Sequence, residues 1–279
     1  MGPDSSPAAQ ANTALRPLAP GALIHLACGA LAVNIAPAAG GRIAQIVHDD
    51  VEWLIGYGER NAAMIAWGCY PMLPWAGRIR RGRFDFEGRT WQLPLNFGDH
   101  AIHGVGFALP WRVEEHSPSR AHLSLQLPED ERWPFGGTAR QSVEVEKNAV
   151  RMRLSVTAGD RAMPAVIGWH PWFHKPDSIE FTPTGFYPRD AEGIAMRPIG
   201  QPPPGPWDDC FLNDKPIFIQ RMGQRVRLVS SCRHWVVYDE TAHATCIEPQ
   251  TGPPDAFSLE PTCLAPRSSV AATFTLEWM

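Results

Sequence analysis

No apolar run in this 279-residue chain approaches the roughly 20 residues that a membrane-spanning helix needs. The longest candidate, around Leu23 to Pro37, is interrupted by His25 and Asn34. An excess of either charge is missing too: 25 basic residues stand against 29 acidic ones. That balance leaves no global electrostatic footprint for nucleic acid or an anionic membrane. The one basic concentration, Arg78, Arg80, Arg81, Arg83 and Arg89, is diluted by Asp85 and Glu87. No Cys-x-x-Cys joins the six scattered cysteines, so neither a disulfide framework nor a zinc site is indicated. They read as small buried apolar residues of a reduced, cytoplasmic protein. The first twenty residues are small and polar with no basic residue before Arg16, which argues against a signal peptide. Residues 1–20 are expected to form a disordered tail.

Helical periodicity is also lacking. No window of twelve or more residues after Gly21 keeps a 3.6 period, and only short helical turns near Gly58 to Ala63 are conceivable. What is present is proline, 28 residues, with 24 glycines and 44% hydrophobic residues. Proline breaks helix interiors and central strands, so the chain is rich in loops and edges. Where pattern appears it has period two. Val143 and Val145, then Val150, Met152, Leu154 and Val156, alternate with polar residues around Lys147-Asn148, a predicted hairpin. Leu123, Leu125 and Leu127 alternate likewise, as do Val270, Ala272, Phe274, Leu276 and Trp278. Phe84 and Phe86 lead into a tight turn at Glu87-Gly88. Many short strands without a repeat or linker predict an all-β protein, a large antiparallel β-sandwich, with residues 21–279 as a single domain.

Six residues could carry chemistry. His170 lies in Ile167-Gly-Trp-His-Pro-Trp-Phe-His174, held extended by Pro171 and desolvated among aromatics, as a core histidine or a proton-transfer group. His103 precedes a Gly-rich turn. Glu248, in Ile247-Glu-Pro-Gln250, is expected at the end of an apolar strand stopped by Pro249, where apolar neighbours raise a carboxylate's pKa toward that of a general base; the alternative is an exposed loop glutamate. Asp208 and Asp209 are adjacent, so one could face a site and the other solvent, or both could be surface capping acids. Arg78 heads the arginine run. Several tryptophans beside these motifs, Trp75, Trp169, Trp172 and Trp207, could wall a cleft. The spacings His100-x-x-His103 and His170-x-x-x-His174 are compatible with metal ligation. No HExxH accompanies them and Pro171 opposes a helix, so no metal is expected. Gly-x-Ser-x-Gly and phosphate-cradling glycine loops are absent.

Taken together and in order, these motifs resemble the aldose 1-epimerase (galactose mutarotase) family. The resemblance runs from about Leu23 through Leu31–Ile43, Pro71–Phe84, His103-Gly104, His170–Phe173, Trp207–Phe211 and Ile247–Gln250. It implies a β-sandwich of the galactose mutarotase type whose sugar site lies on one large sheet. It implies His170 as the acid that protonates the ring oxygen and Glu248 as the base at the anomeric hydroxyl. His103, Arg78 and Asp208 would bind the sugar, Asp208 being preferred because it stands three residues before Phe211. Neither cofactor nor metal is implied. The implied partner is a small-molecule sugar, with the protein a monomer or homodimer and without nucleic acid or membrane partners. Two alternatives accompany this reading: a hexose-6-phosphate 1-epimerase using the arginine run as a phosphate clamp, and a non-catalytic sugar-binding or regulatory module.

Overall fold

The structure, a computed structural model, describes residues 12–279. Two antiparallel sheets account for most of them. The larger runs, edge to edge, through the strands Ile24–Cys28, Leu31–Ala36, Arg42–His48, Cys69–Met72, Gly168–His174, Ala244–Gln250, His234–Tyr238, Asp208–Leu212 and Gly185–Tyr187. The smaller runs through Arg112–Ser117, Arg120–Gln126, Thr138–Glu146, Ala149–Thr157, Ser269–Trp278, Gln224–Ser230, Ile217–Arg221 and Ser178–Glu180. Among the described residues the one α-helix is Ala256–Leu259. The protein is therefore an all-β sandwich, as the period-two patterning predicts.

Alternation along each strand builds the core. Leu154, Val156, Ala272, Phe274 and Leu276 from the smaller sheet are essentially without solvent exposure, as are Trp169, Phe173, Trp235, Val237 and Ile247 from the larger one. All but Val237 join one apolar cluster, with Trp169 and Phe274 meeting across the layers at 5.9 Å between ring centroids. Burying a large apolar side chain contributes about 1.5–3 kcal/mol, so these rows dominate the stability of the sandwich. The same alternation turns His170, Trp172, Val236, Tyr238 and Glu248 to the opposite face of the larger sheet.

The hairpins fall where the pattern puts them. Thr138–Glu146 and Ala149–Thr157 pair around Lys147-Asn148, and Arg83–Phe86 pairs with Arg89–Gln92 around Glu87 (φ 50°) and Gly88 (φ 71°). The segment from Gly58 to Ala63 forms turns but no helix. The expected tail needs correction. Residues 1–11 lie outside the described residues, but Asn12–Leu18 is docked on the body. Ala14 is buried and donates its N–H to Asn96 O at 3.0 Å, Leu18 N–H donates to Ala62 O, and Met64 N–H donates to Arg16 O. Small polar composition suggests a loose segment, whereas these backbone bonds and one buried methyl hold it. No helix of the described residues is long and apolar enough to cross a membrane.

Candidate functional site

A row of cross-strand neighbours runs over the outer face of the larger sheet. Tyr70 pairs with His170, Glu248 with Val236, and Val236 with Cys210. Between the histidine and glutamate strands the register pairs Gly168 with Gln250 and Trp172 with Cys246. His170 therefore stands opposite Glu248. The glutamate strand does not stop at Pro249 as expected; it continues to Gln250 and is buried throughout. Pro249 faces Trp235 of the neighbouring strand. Paired neighbours on both sides hold the strand straight through a residue that lacks an N–H.

His170 Nε2 lies 3.2 Å from Glu248 Oε1, and the two residues are 5% and 2% exposed. The imidazole is stacked between Tyr70 at 4.7 Å and Trp172 at 5.4 Å. His103 meets its edge at 4.9 Å. Burial drives His170 down to about 3 and His103 well below the ordinary histidine value, the latter helped by His170 and Arg78. Burial, then the charge of Asp208, lifts Glu248 well above the carboxylate range. Each charged form is thus disfavoured, and the touching pair is most stable holding one proton between its two members. Gln250 Nε2 donates to Glu248 Oε2 at 3.2 Å. Nδ1 of His103, Nδ1 of His170 and Oε1 of Gln250 are buried without a protein partner.

His103 reaches this place through a strained turn. Its own φ is +58° and that of Gly104 is +77°, a region in which non-glycine residues are uncommon. A Cβ on Gly104 would sit 1.9 Å from Leu73 O, so only glycine fits beside the histidine. Arg78 follows Gly77, whose own φ is +68° and whose close approach to Pro254 also leaves no room for a side chain. The guanidinium lies 5.7 Å over the Phe97 ring.

These side chains line a cavity of about 390 Å³ that contains Arg78, His103, His170, Asp208 and Glu248 together. Both aspartates line it, contrary to the expectation that strand alternation sends one away. Asp208 opens its strand, where pleating is only beginning. Arg189, a residue the sequence reading missed, ion-pairs with Asp208 and donates from Nε to Asp209 Oδ1 at 3.1 Å. Burial raises the Asp208 carboxyl although Arg189 and Arg78 pull it down. No motif marks Arg189, since its role arises from a loop folding back over a strand distant in sequence.

Of the tryptophans, Trp172 lines the cavity. Trp169 faces the core, Trp75 lines a different cavity, and Trp207 packs on Phe181 and Phe211. Residue-by-residue alternation separates Trp169 from His170. The paired-histidine spacings do not converge: His100 Nδ1 accepts from Arg81 N–H at 3.1 Å, and His174 faces Glu59 at 3.6 Å. Donor atoms of His170, Cys246 and Glu248 do lie within 4.8 Å of one another, a consequence of their adjacent positions on one sheet face. Burial pushes the Cys246 thiol well up, away from the thiolate that binds metals. The other arginines are engaged locally, Arg80 with Asp190 and Glu192 and Arg81 with Glu192 at 3.2 Å.

The fold and site together define a class: a β-sandwich with a buried histidine–carboxylate pair and polar anchors lining a partly open cavity on one sheet face. The aldose 1-epimerase family profile matches residues 23–267, and the chain belongs to that family. Curated relatives include YphB of Escherichia coli K12, 28% identical over 127 residues, which are 44% of this chain and 43% of YphB. YihR of the same organism is 28% identical over 107 residues, 36% of this chain and 34% of YihR. These alignments thus span less than half of either relative. Among solved structures, a putative aldose 1-epimerase from E. coli K12 superposes with a TM-score of 0.81 at 20% identity, over 92% of this chain and 99% of that one. A galactose 1-epimerase from Lactobacillus acidophilus gives 0.78 at 17%, over 92% and 94%. At such identities the structures establish the shared fold.

Proposed function

We propose that this protein is an aldose 1-epimerase that interconverts the α and β anomers of a free aldose. The observation that carries the reading is the buried His170–Glu248 contact opening into the cavity that also holds Arg78, His103 and Asp208. The ring oxygen and the anomeric oxygen of a cyclic aldose are bonded to the same carbon. An acid and a base 3.2 Å apart can address both at once.

Glu248 takes the proton from the anomeric hydroxyl, the C1–O1 bond becomes a carbonyl, and the C1–ring-oxygen bond breaks. The ring oxygen keeps that electron pair and receives the proton from His170. Rotation about C1–C2 and the reverse transfers close the other anomer. The pair must hold one proton in total; burial rests it on Glu248, and the forward step draws on the arrangement that carries it on His170. Each positioned group supplies about 10²–10⁴-fold. His103 serves as a hydrogen-bonding partner near the reacting oxygens, and Arg78 and Asp208 hold hydroxyls.

A phosphorylated substrate is less well supported. Arg80 and Arg81 are committed to Asp190 and Glu192, and Arg189 to Asp208 and Asp209. A phosphate clamp would require breaking those pairs. The test is NMR saturation exchange between anomers over a panel of free and 6-phosphorylated aldoses. Wild-type protein is expected to accelerate exchange of free sugars, with His170→Asn and Glu248→Gln each slowing it by at least about 100-fold. Near-wild-type rates in both variants would sink the mechanism. Sugar binding without faster exchange would favour the silent module.

A further inference from the structure

The stretch matched by the family begins at residue 23, yet the cavity wall includes a residue before it. Leu15, in the short 3₁₀ turn Thr13–Leu15, lines the same cavity as His170 and Glu248 and is 48% exposed. Its position is secured from both sides. Ala14 N–H is bonded to Asn96 O, while Pro17 bridges Ala63 and Arg16 O receives the N–H of Met64. Asn12 Oδ1 accepts from Gly98 N–H at 3.0 Å. The strap therefore spans the loops at 62–66 and 94–100, and an apolar side chain is left facing the cavity.

We infer that Leu15 is a specificity-determining residue, which with Ile65 and Ala66 selects aldoses whose C5 substituent is apolar or absent: 6-deoxyhexoses and pentoses. This rests on the proposed reaction, which sets the sugar's direction. With His170 at the ring oxygen and Glu248 at the anomeric oxygen, C5 and its substituent extend from Glu248 past His170. The sheet order puts Tyr70 on that side, with the loop at 62–66 beside it. C2 and its hydroxyl extend the other way, toward Val236, Asp208 and Asp209.

The two ends of the cavity differ in chemistry accordingly. Arg189, Asp208, Asp209 and Glu240 line it around the strands Asp208–Leu212 and His234–Tyr238, where hydroxyls find partners. At the opposite end stand Leu15, Ile65 and Ala66. The indole and phenol there are already used, because Trp172 Nε1 and Tyr70 Oη both donate to Ile65 O, at 2.8 and 3.1 Å, and His103, whose Nδ1 has no protein partner, is taken up by the reacting oxygens in the proposed reaction. A hydroxymethyl group brought to this end gives up its water without gaining a hydrogen bond. A methyl group or hydrogen loses nothing.

The test compares kcat and KM for galactose against 6-deoxygalactose, and for glucose against 6-deoxyglucose, in wild type, Leu15→Ser and Leu23→Ser. Leu23 is an equally exposed leucine (47%) that does not line the cavity. Wild type is expected to favour the deoxy member of each pair. Leu15→Ser should cut that preference by about tenfold, the low end of the range for an apolar group lost from a pocket. The change should fall on KM, and Leu23→Ser should leave the ratio alone. An active wild type whose preference is unmoved by Leu15→Ser, or moved equally by Leu23→Ser, overturns the inference and leaves the reaction standing. A wild type that exchanges no aldose overturns both.

Discussion

At the scale of single residues, the site is a set of groups whose ordinary ionisation is suppressed by burial and, for Glu248 and His103, further by neighbouring like charges. His170 and Glu248 were recognisable by the prolines and aromatics around them, because extended backbone and desolvation can be read locally. Arg189 was not. It is half-buried and its partners lie about twenty residues on, so no spacing rule marks it. Its substitution is informative for that reason. Arg189→Met leaves Asp208 and Asp209 as adjacent carboxylates without their shared cation, and a hydrogen bond between charged groups contributes about 1.5–3 kcal/mol. Sugar KM should rise roughly tenfold to a hundredfold with a smaller change in kcat, measured by polarimetry. A loss confined to kcat would mean that Arg189 acts on the chemistry instead. Arg42, by contrast, is a buried cation whose role is architectural. Its guanidinium donates to the carbonyls of Ala39, Met64, Trp67 and Phe107, and burial lowers it to about 9. It anchors the loop that carries Ile65 and Ala66 to the body of the sheet.

At the scale of elements, the two catalytic candidates come from neighbouring strands and the supporting groups from turns. A strand delivers alternate side chains to one face, so Trp172, His170 and Gly168 share a row direction with Cys246, Glu248 and Gln250. The turn at His103-Gly104 is the more delicate device, since both residues have positive φ. Gly104→Ala places a methyl group against Leu73 O, so backbone must move. Such a change should destabilise the fold by at least about 2 kcal/mol and displace His103. Urea unfolding checks the first effect and anomer exchange the second; unchanged values in both would remove the steric account. The loop at 188–193 is fastened to the arginine run by Arg80–Asp190 and Arg81–Glu192. In the sequence those arginines stand as a local basic run because their acidic partners lie more than a hundred residues away.

For the whole molecule, placing a carboxyl in the sheet's interior ties stability to pH. In the folded protein Glu248 is raised well above its ordinary value, so above the unfolded carboxyl's pKa the native state binds the extra proton. Stability contributed by that proton is present at low pH and is lost as pH rises toward the folded pKa, by up to about 1.4 kcal/mol per pH unit. Glu248→Gln has no such proton. The stability of the variant relative to wild type should therefore increase between pH 5 and pH 8, as read from urea unfolding midpoints. A difference that is flat across this range would show that Glu248 ionises normally in the fold.

By itself the sequence determined the class of fold, because period-two patterning and proline content are local properties that only β-structure satisfies. It also determined where the hairpins turn and singled out His170 and Glu248 as candidates. Tertiary structure alone decided that these two meet, since strand register is set by pairing across some eighty residues of chain. It decided too that both aspartates share one arginine, that Trp169 belongs to the core and Trp172 to the cavity, and that residues 12–18 are docked with Leu15 at the cavity. Each of these depends on which distant segments come into contact. Backbone hydrogen bonds and charge pairs between such segments leave no periodic trace in either one.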